Sequence, residues 1–230
     1  AKKTVSIPIV YGCGGYNTLE IIKELKETNL NGVSAILSVT PYYNKPTQNG
    51  LIHHYSMIAE NCPLPIILYN VPGRTGCNLL PSTVFKLAEK YENIIGVKEA
   101  SGDINQIMEI IRGKPENFYV ISGDDNITLP LLSIGVCGVI SVIANAFPAE
   151  WSELVSLALN DKYQEARKIH YRFLELCRLL FVEGNPAGIK AVLSILGLCK
   201  NILRPPLVPV SQQTYQKIKE CLHTIPASAT

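Results

Sequence analysis

At 230 residues, with 47% hydrophobic and 17% charged side chains, the chain has the composition of a globular protein, long enough for one large α/β domain or two small ones. A net charge of +2 with no basic cluster excludes a nucleic-acid footprint, and no apolar run approaches a membrane span or forms a signal peptide. The seven scattered cysteines form no C-x-x-C pair and read as reduced thiols of a cytoplasmic protein, while adjacent His53 and His54 diverge on a helix, so no metal or cofactor is expected. The first residues, Ala1-Lys2-Lys3, lack a methionine, which points to a fragment of a longer chain.

In chain order, short apolar runs at residues 6–11, 33–40, 65–70, 94–98, 118–122 and 138–143 read as buried strands. Helical patterns separate them at 18–27 behind the cap Asn17, then at 48–60, 82–90 and 104–111, and at 126–133 behind Asp124 and Asp125. This βα repeat argues for a parallel sheet with helical crossovers. Beyond it the pattern is all helical, at 149–159, 163–181, 186–196 and 211–222. The stripe of 163–181 reads as helix-packing surface. A closed barrel needs eight βα units and an open doubly wound sheet five or six; about six are present, so periodicity leaves the two open.

In either architecture chemistry gathers at the C-terminal ends of the strands. The first strand runs into Gly12-Cys13-Gly14-Gly15, which lacks the last glycine of a dinucleotide fingerprint, since Asn17 stands there. The second ends in Thr40-Pro41-Tyr42-Tyr43-Asn44-Lys45-Pro46, a stiff aromatic loop that suits a packed turn or a subunit interface. The third delivers Tyr69 and, within a turn, Arg74: a phenol that can relay protons and a guanidinium that can clamp a carboxylate or simply brace its loop. The fourth ends on Lys98. An amine in so apolar a strand is costly to charge, and Schiff-base chemistry needs the neutral form; the plain alternative is a strand-end lysine that snorkels to water. The fifth ends Ser122-Gly123-Asp124-Asp125, where capping is the favoured role of the acidic pair. Gly138 opens the sixth, where the backbone around Ile140 can approach a small ligand. Lysine, tyrosine and arginine on neighbouring strand ends form the one coherent constellation.

The ordered motifs T-P-Y-Y-N-K-P (40–46), Y-N-V-P-G-R-T-G (69–76), G-V-K-E-A-S-G (96–102), S-G-D-D (122–125) and G-V-I-S-V (138–142), with F-V-E-G-N-P (181–186) beyond them, resemble the dihydrodipicolinate synthase family, a branch of the N-acetylneuraminate lyase class I aldolases. The resemblance implies a (β/α)8 TIM barrel of which about six βα units are present, with residues 1–147 forming the partial barrel and 148–230 the last barrel helix and a helical appendage. It implies condensation of pyruvate with L-aspartate 4-semialdehyde in lysine biosynthesis. Lys98 would form the Schiff base, Tyr69 would relay protons and Tyr43 would complete the relay across a dimer of a homotetramer. Arg74 would bind the aldehyde's carboxylate, and Gly123 and Ile140 would line the pyruvate pocket. Glu20 and Tyr42 match a lysine effector site, with Tyr16 where asparagine is common. The family's first two βα units, with a G-T-T-G-E motif serving the relay, are missing from the sequence. A fragment, a barrel completed by another chain and a non-catalytic paralogue acting as an interaction protein are the three explanations; another acceptor aldehyde is the remaining alternative.

Overall fold

The structure, a computed structural model, describes residues 6–225. It divides into two compact units. The first takes the chain up to Gly123 with the segment Ile134–Gly138, and the second takes Asp124–Ser133 and the chain from Val139 onward.

In the first unit, strands β1 (Val10–Gly12), β2 (Ala35–Val39), β3 (Ile66–Asn70), β4 (Ile94–Glu99) and β5 (Tyr119–Ser122) alternate with helices α1 (Thr18–Glu27), α2 (Gln48–Asn61), α4 (Pro81–Lys90) and α5 (Ile104–Gly113); a single turn, α3 (Pro72–Thr75), follows β3. Side chains set the helix starts. Asn17 Oδ1 accepts from the Leu19 amide at 3.1 Å, Thr47 Oγ1 from Gly50 at 3.3 Å, and Asp103 Oδ1 from Asn105 at 2.9 Å. All strands run parallel in the order β1-β2-β3-β4-β5. Each strand pairs with the next and the order never reverses, which is barrel winding rather than doubly wound topology. Ile36, Ile66, Leu68 and Val97 of the sheet and Leu51, Ile58, Leu87 and Ile110 of the helices are all fully buried. Each such side chain contributes roughly 1.5–3 kcal/mol relative to exposure.

The segment expected as a sixth strand, 138–143, pairs beside β5 only at its start, where Ser122 N donates to Gly138 O at 2.8 Å, and it goes no further as a strand. Asp125 supplies the reason: its Oδ2 accepts from the Val142 and Ile143 amides at 2.8 and 3.0 Å. Those donors are thereby withdrawn from any ladder, and the chain turns into a 3-10 helix, Ile143–Asn145. Both acids are caps, as the sequence favours, but of different turns, since Asp124 Oδ1 accepts from Asn126 at 3.0 Å at the start of Asp125–Ile127.

The second unit is helical: α6 (Thr128–Ser133), α7 (Pro148–Leu159), α8 (Tyr163–Leu179), α9 (Ala187–Ile195) and α10 (Gln212–Thr224). Its core is aromatic, with Phe173 against Phe147 at 4.8 Å and edge-on to Trp151 at 6.1 Å between ring centroids. The α8 stripe packs as expected, burying Ile169, Phe173 and Leu176 while Arg167 and Arg172 face solvent. Among the described residues no helix is long and apolar enough to cross a membrane.

One buried titratable group in α2 couples the first unit to pH. His54 is 4% exposed; Thr18 Oγ1 lies 2.8 Å from its Nδ1, and Nε2 has no partner among the described residues. Burial lowers its pKa to about 4. Because the folded value lies below that of the unfolded chain, the unfolded state takes up the proton first. The stability conferred by the neutral ring is complete above the unfolded value and is lost as pH falls toward about 4. The loss is on the order of 3 kcal/mol, and denaturant unfolding between neutral and acid pH is expected to show a shallower fall for His54→Asn than for the parent.

Candidate active site

The register between β3 and β4 builds the centre of the site. Ile66 pairs with Ile94, but an irregularity follows and Ile67 pairs with Gly96, so one extra residue of β4 is taken up at the base of the strands. Downstream, Tyr69 stands opposite Lys98 and Asn70 opposite Glu99. Without that shift Tyr69 would face Val97, because side chains alternate between the two faces. Lys98 Nζ lies 4.1 Å from the centroid of the Tyr69 ring. Lys98 is buried at 8% exposure, and Tyr69 is half-buried. Burial pushes the Tyr69 phenol above its ordinary pKa while the Arg74 guanidinium pulls it back, which leaves the hydroxyl protonated at neutral pH.

Backbone bonds beyond the strand ends continue the ladder. Thr40 N donates to Tyr69 O at 3.0 Å, Ala100 N to Asn70 O at 2.9 Å, and Gly123 N to Glu99 O at 2.8 Å. They draw Gly123 so close to the lysine that a Cβ there would sit 2.9 Å from Lys98 Cε and 2.6 Å from Ala100 Cβ. Gly123 therefore makes room for the amine's stem.

Arg74, exposed, rides on α3, which Gly76 ends in the left-handed conformation at φ 74°. The hydroxyl of Thr75 lies within 3.2 Å of Val71 O and 3.0 Å of Cys77 O, and accepts from Thr40 at 3.3 Å, so the turn is braced from inside. A cavity of about 320 Å³ opens between the ends of β1, β2 and β3, lined by Gly12, Cys13, Gly14, Leu37, Val39, Tyr42, Tyr69, Val71, Arg74 and Thr75. Tyr69 is thus shared between this cavity and Lys98. Cys13 on the wall is no nucleophile: burial, with the Glu24 carboxylate adding, pushes its thiol up to about 12.

Of the other expected residues, Tyr42 lines the same cavity. Tyr43 is 89% exposed at φ 71°, and Lys45 adopts φ 44°, so the loop between the two prolines holds two non-glycine residues in the left-handed region. Tyr42 meets Tyr16 edge-on at 5.5 Å, and Glu20 is exposed in the first turn of α1. Ile140 belongs to the second unit and is half-buried. Among the described residues no group of three or more His, Cys, Asp or Glu side chains could hold a metal ion, and none of the cysteines is bridged. The sequence reading missed the buried Asn70, Thr75, Glu99 and Gln106; polar residues immediately after Tyr69 and Lys98, on strands otherwise apolar, were the available signal.

Residues 2–225 match the family described as the dihydrodipicolinate synthetase family. The chain belongs to that family. A 4-hydroxy-tetrahydrodipicolinate synthase from Parabacteroides distasonis is 54% identical over 219 residues, covering 95% of this chain and 74% of the relative. Among solved structures, the 4-hydroxy-tetrahydrodipicolinate synthase of Methylacidiphilum fumariolicum SolV is 43% identical with a TM-score of 0.92, across 95% of this chain and 73% of that one. The chloride-inhibited dihydrodipicolinate synthase of Acinetobacter baumannii complexed with pyruvate is 40% identical, also at TM-score 0.92, across 96% and 75%. These dihydrodipicolinate synthetase relatives are TIM-barrel enzymes, and the singly wound sheet is this chain's portion of that fold. The chain spans about three quarters of their length.

The crowding at Gly123 is directly testable. Gly123→Ala is expected to cost roughly 1–3 kcal/mol in denaturant unfolding, the usual penalty of overpacking. It should also slow acylation of Lys98 by a small amine-reactive reagent, followed by peptide mass spectrometry; unchanged stability together with unchanged labelling would show that the contact is slack.

Proposed function

We propose that the chain condenses pyruvate with L-aspartate 4-semialdehyde to 4-hydroxy-tetrahydrodipicolinate, the lyase-class step of the diaminopimelate route to lysine, through a Schiff base on Lys98. The observation that carries this reading is the buried Lys98 amine set over the Tyr69 ring, with Arg74 on the turn that follows the same strand as Tyr69. Its relatives bear the synthase name, and one is held with pyruvate.

Lys98 attacks the pyruvate ketone, and the carbinolamine loses water to give the imine. Loss of a methyl proton yields the enamine, whose carbon adds to the semialdehyde carbonyl, forming the new carbon–carbon bond. The amino group from the semialdehyde then displaces Lys98 from the imine carbon, closing the ring and regenerating the free amine. Tyr69 passes protons at the carbinolamine, a role its protonated phenol suits. Arg74 holds the semialdehyde carboxylate through paired N–H bonds. Gly123 and Ile140 flank the pyruvate.

Tyr43 reaches a neighbouring subunit of a homotetramer and completes the relay there, which its exposure on a strained loop supports. Glu20 and Tyr42 contribute to a lysine effector site, and the protein works in the cytoplasm. Residues 1–147 supply the barrel portion, and 148–230 the last barrel helix with the appended helices.

Borohydride reduction in the presence of pyruvate is expected to leave a stable adduct on the peptide carrying Lys98 and none in Lys98→Ala; label on another lysine defeats the assignment. Tyr69→Phe should lower kcat roughly 100- to 10,000-fold. Arg74→Ala should raise KM for the semialdehyde roughly 10- to 100-fold with the pyruvate adduct retained, and an unaltered KM would point to a different acceptor aldehyde.

A further inference from the structure

The register that sets Tyr69 beside Lys98 sets Asn70 beside Glu99 on the opposite face of the same two strands. Glu99 is 1% exposed and Asn70 fully buried. The Glu99 carboxylate accepts from Asn70 Nδ2 through both oxygens at 3.2 and 3.0 Å, from the Ser101 amide at 2.7 Å and from Gln106 Nε2 at 3.1 Å. Asn70 Nδ2 also donates to Asn78 Oδ1 at 2.8 Å, and Asn70 Oδ1 accepts from the Leu79 amide at 2.9 Å. Gln106, on α5, closes the ring: its Nε2 donates to Asn78 Oδ1 at 3.2 Å and its Oε1 accepts from Asn78 Nδ2 at 2.8 Å.

This ring ties both ends of one loop together. Asn70 is the last residue of β3 and Asn78 and Leu79 come just before α4, so the segment between them, 71–77, is cinched at its base; it carries Arg74. The opposite anchor is the residue immediately after Lys98. We propose that Glu99 is a positioning residue: its buried carboxylate, held by Asn70, Gln106 and the Ser101 amide, fixes the Arg74-bearing loop relative to Lys98. The inference rests on the function proposed above and adds to it the group that sets the spacing between the amine and the carboxylate clamp.

The polarity of the ring requires a carboxylate. Every partner of Glu99 donates, and an ionised carboxylate is acceptor-only. An amide at this position would aim an N–H at another donor. Turning Gln106 and then Asn78 over does not cure this, because it brings Asn78 Nδ2 against Asn70 Nδ2. Asn70 cannot turn over in its place, since its oxygen is committed to the Leu79 amide. Two backbone N–H groups, at Ser101 and Leu79, therefore set the direction of every bond in the ring.

Glu99→Gln, made in the full chain, tests this. Hydrogen exchange of the peptide spanning 71–79 should quicken at least roughly tenfold while β2 is unaffected. The rate of pyruvate adduct formation on Lys98 should stay within roughly threefold of the parent, while KM for the semialdehyde rises roughly tenfold or more with a smaller change in kcat. Asn78→Ser, at a half-buried position, is the milder second variant should Glu99→Gln fold poorly. Unchanged exchange at 71–79, or adduct formation and both KM values shifting together, overturns the positioning role. If the parent chain itself forms no pyruvate adduct, the proposed function falls, and the exchange measurement still decides whether the carboxylate holds the loop.

Discussion

The one-residue shift between β3 and β4 is the constraint on which the site depends. In a parallel sheet, neighbouring side chains face the same way and successive ones alternate, so a slip of one residue exchanges the faces of everything downstream. With the shift, Tyr69 meets Lys98 on one face and Asn70 meets Glu99 on the other. Reactive groups and the polar ring that steadies their surroundings are consequently adjacent in sequence yet separated by the sheet. No single hydrogen bond creates the arrangement; it is a property of the ladder.

The two faces place opposite demands on burial. On the Lys98 side, Gly123 leaves room for the stem of the amine, which lies 4.1 Å from the Tyr69 ring centroid. On the Glu99 side a charge lies out of water, tolerable because three separate donors surround it. Such a network stabilises only when complete, and this one is closed by two backbone amides whose direction cannot change. The loop bearing Arg74 is braced twice, by that ring at its base and by the Thr75 hydroxyl within its turn. An exposed arginine on an otherwise short connection thereby gains a defined place.

Membership of the dihydrodipicolinate synthetase family accounts for why these devices sit at the C-terminal strand ends, where barrel enzymes keep their chemistry. Within the second unit, Asp125 performs a comparable structural service: buried, with its pKa raised by that burial, it spends its carboxylate on two consecutive amides and turns the chain where an extended segment was expected.

Much was written in the residues themselves. The apolar runs of β2 to β5 and the caps Asn17 and Asp103 set helix and strand positions to within a few residues, because two-sided burial and capping are local requirements. Lys98, Tyr69 and Arg74 stood out for the same reason, as polar groups ending apolar runs. Periodicity could not choose between barrel winding and a doubly wound sheet, since both read as repeated βα; strand order is a long-range property. Nor could it foresee that Val142 and Ile143 would yield their amides to Asp125, or that β4 would take up an extra residue at Ile95. Asn70 and Glu99 were visible as letters, but their partnership arises only when two strands and the loop before α4 are brought to one place. Sequence alone determined which groups could carry the chemistry; the tertiary structure decided which of them face each other, because register is settled by packing between strands and not within them.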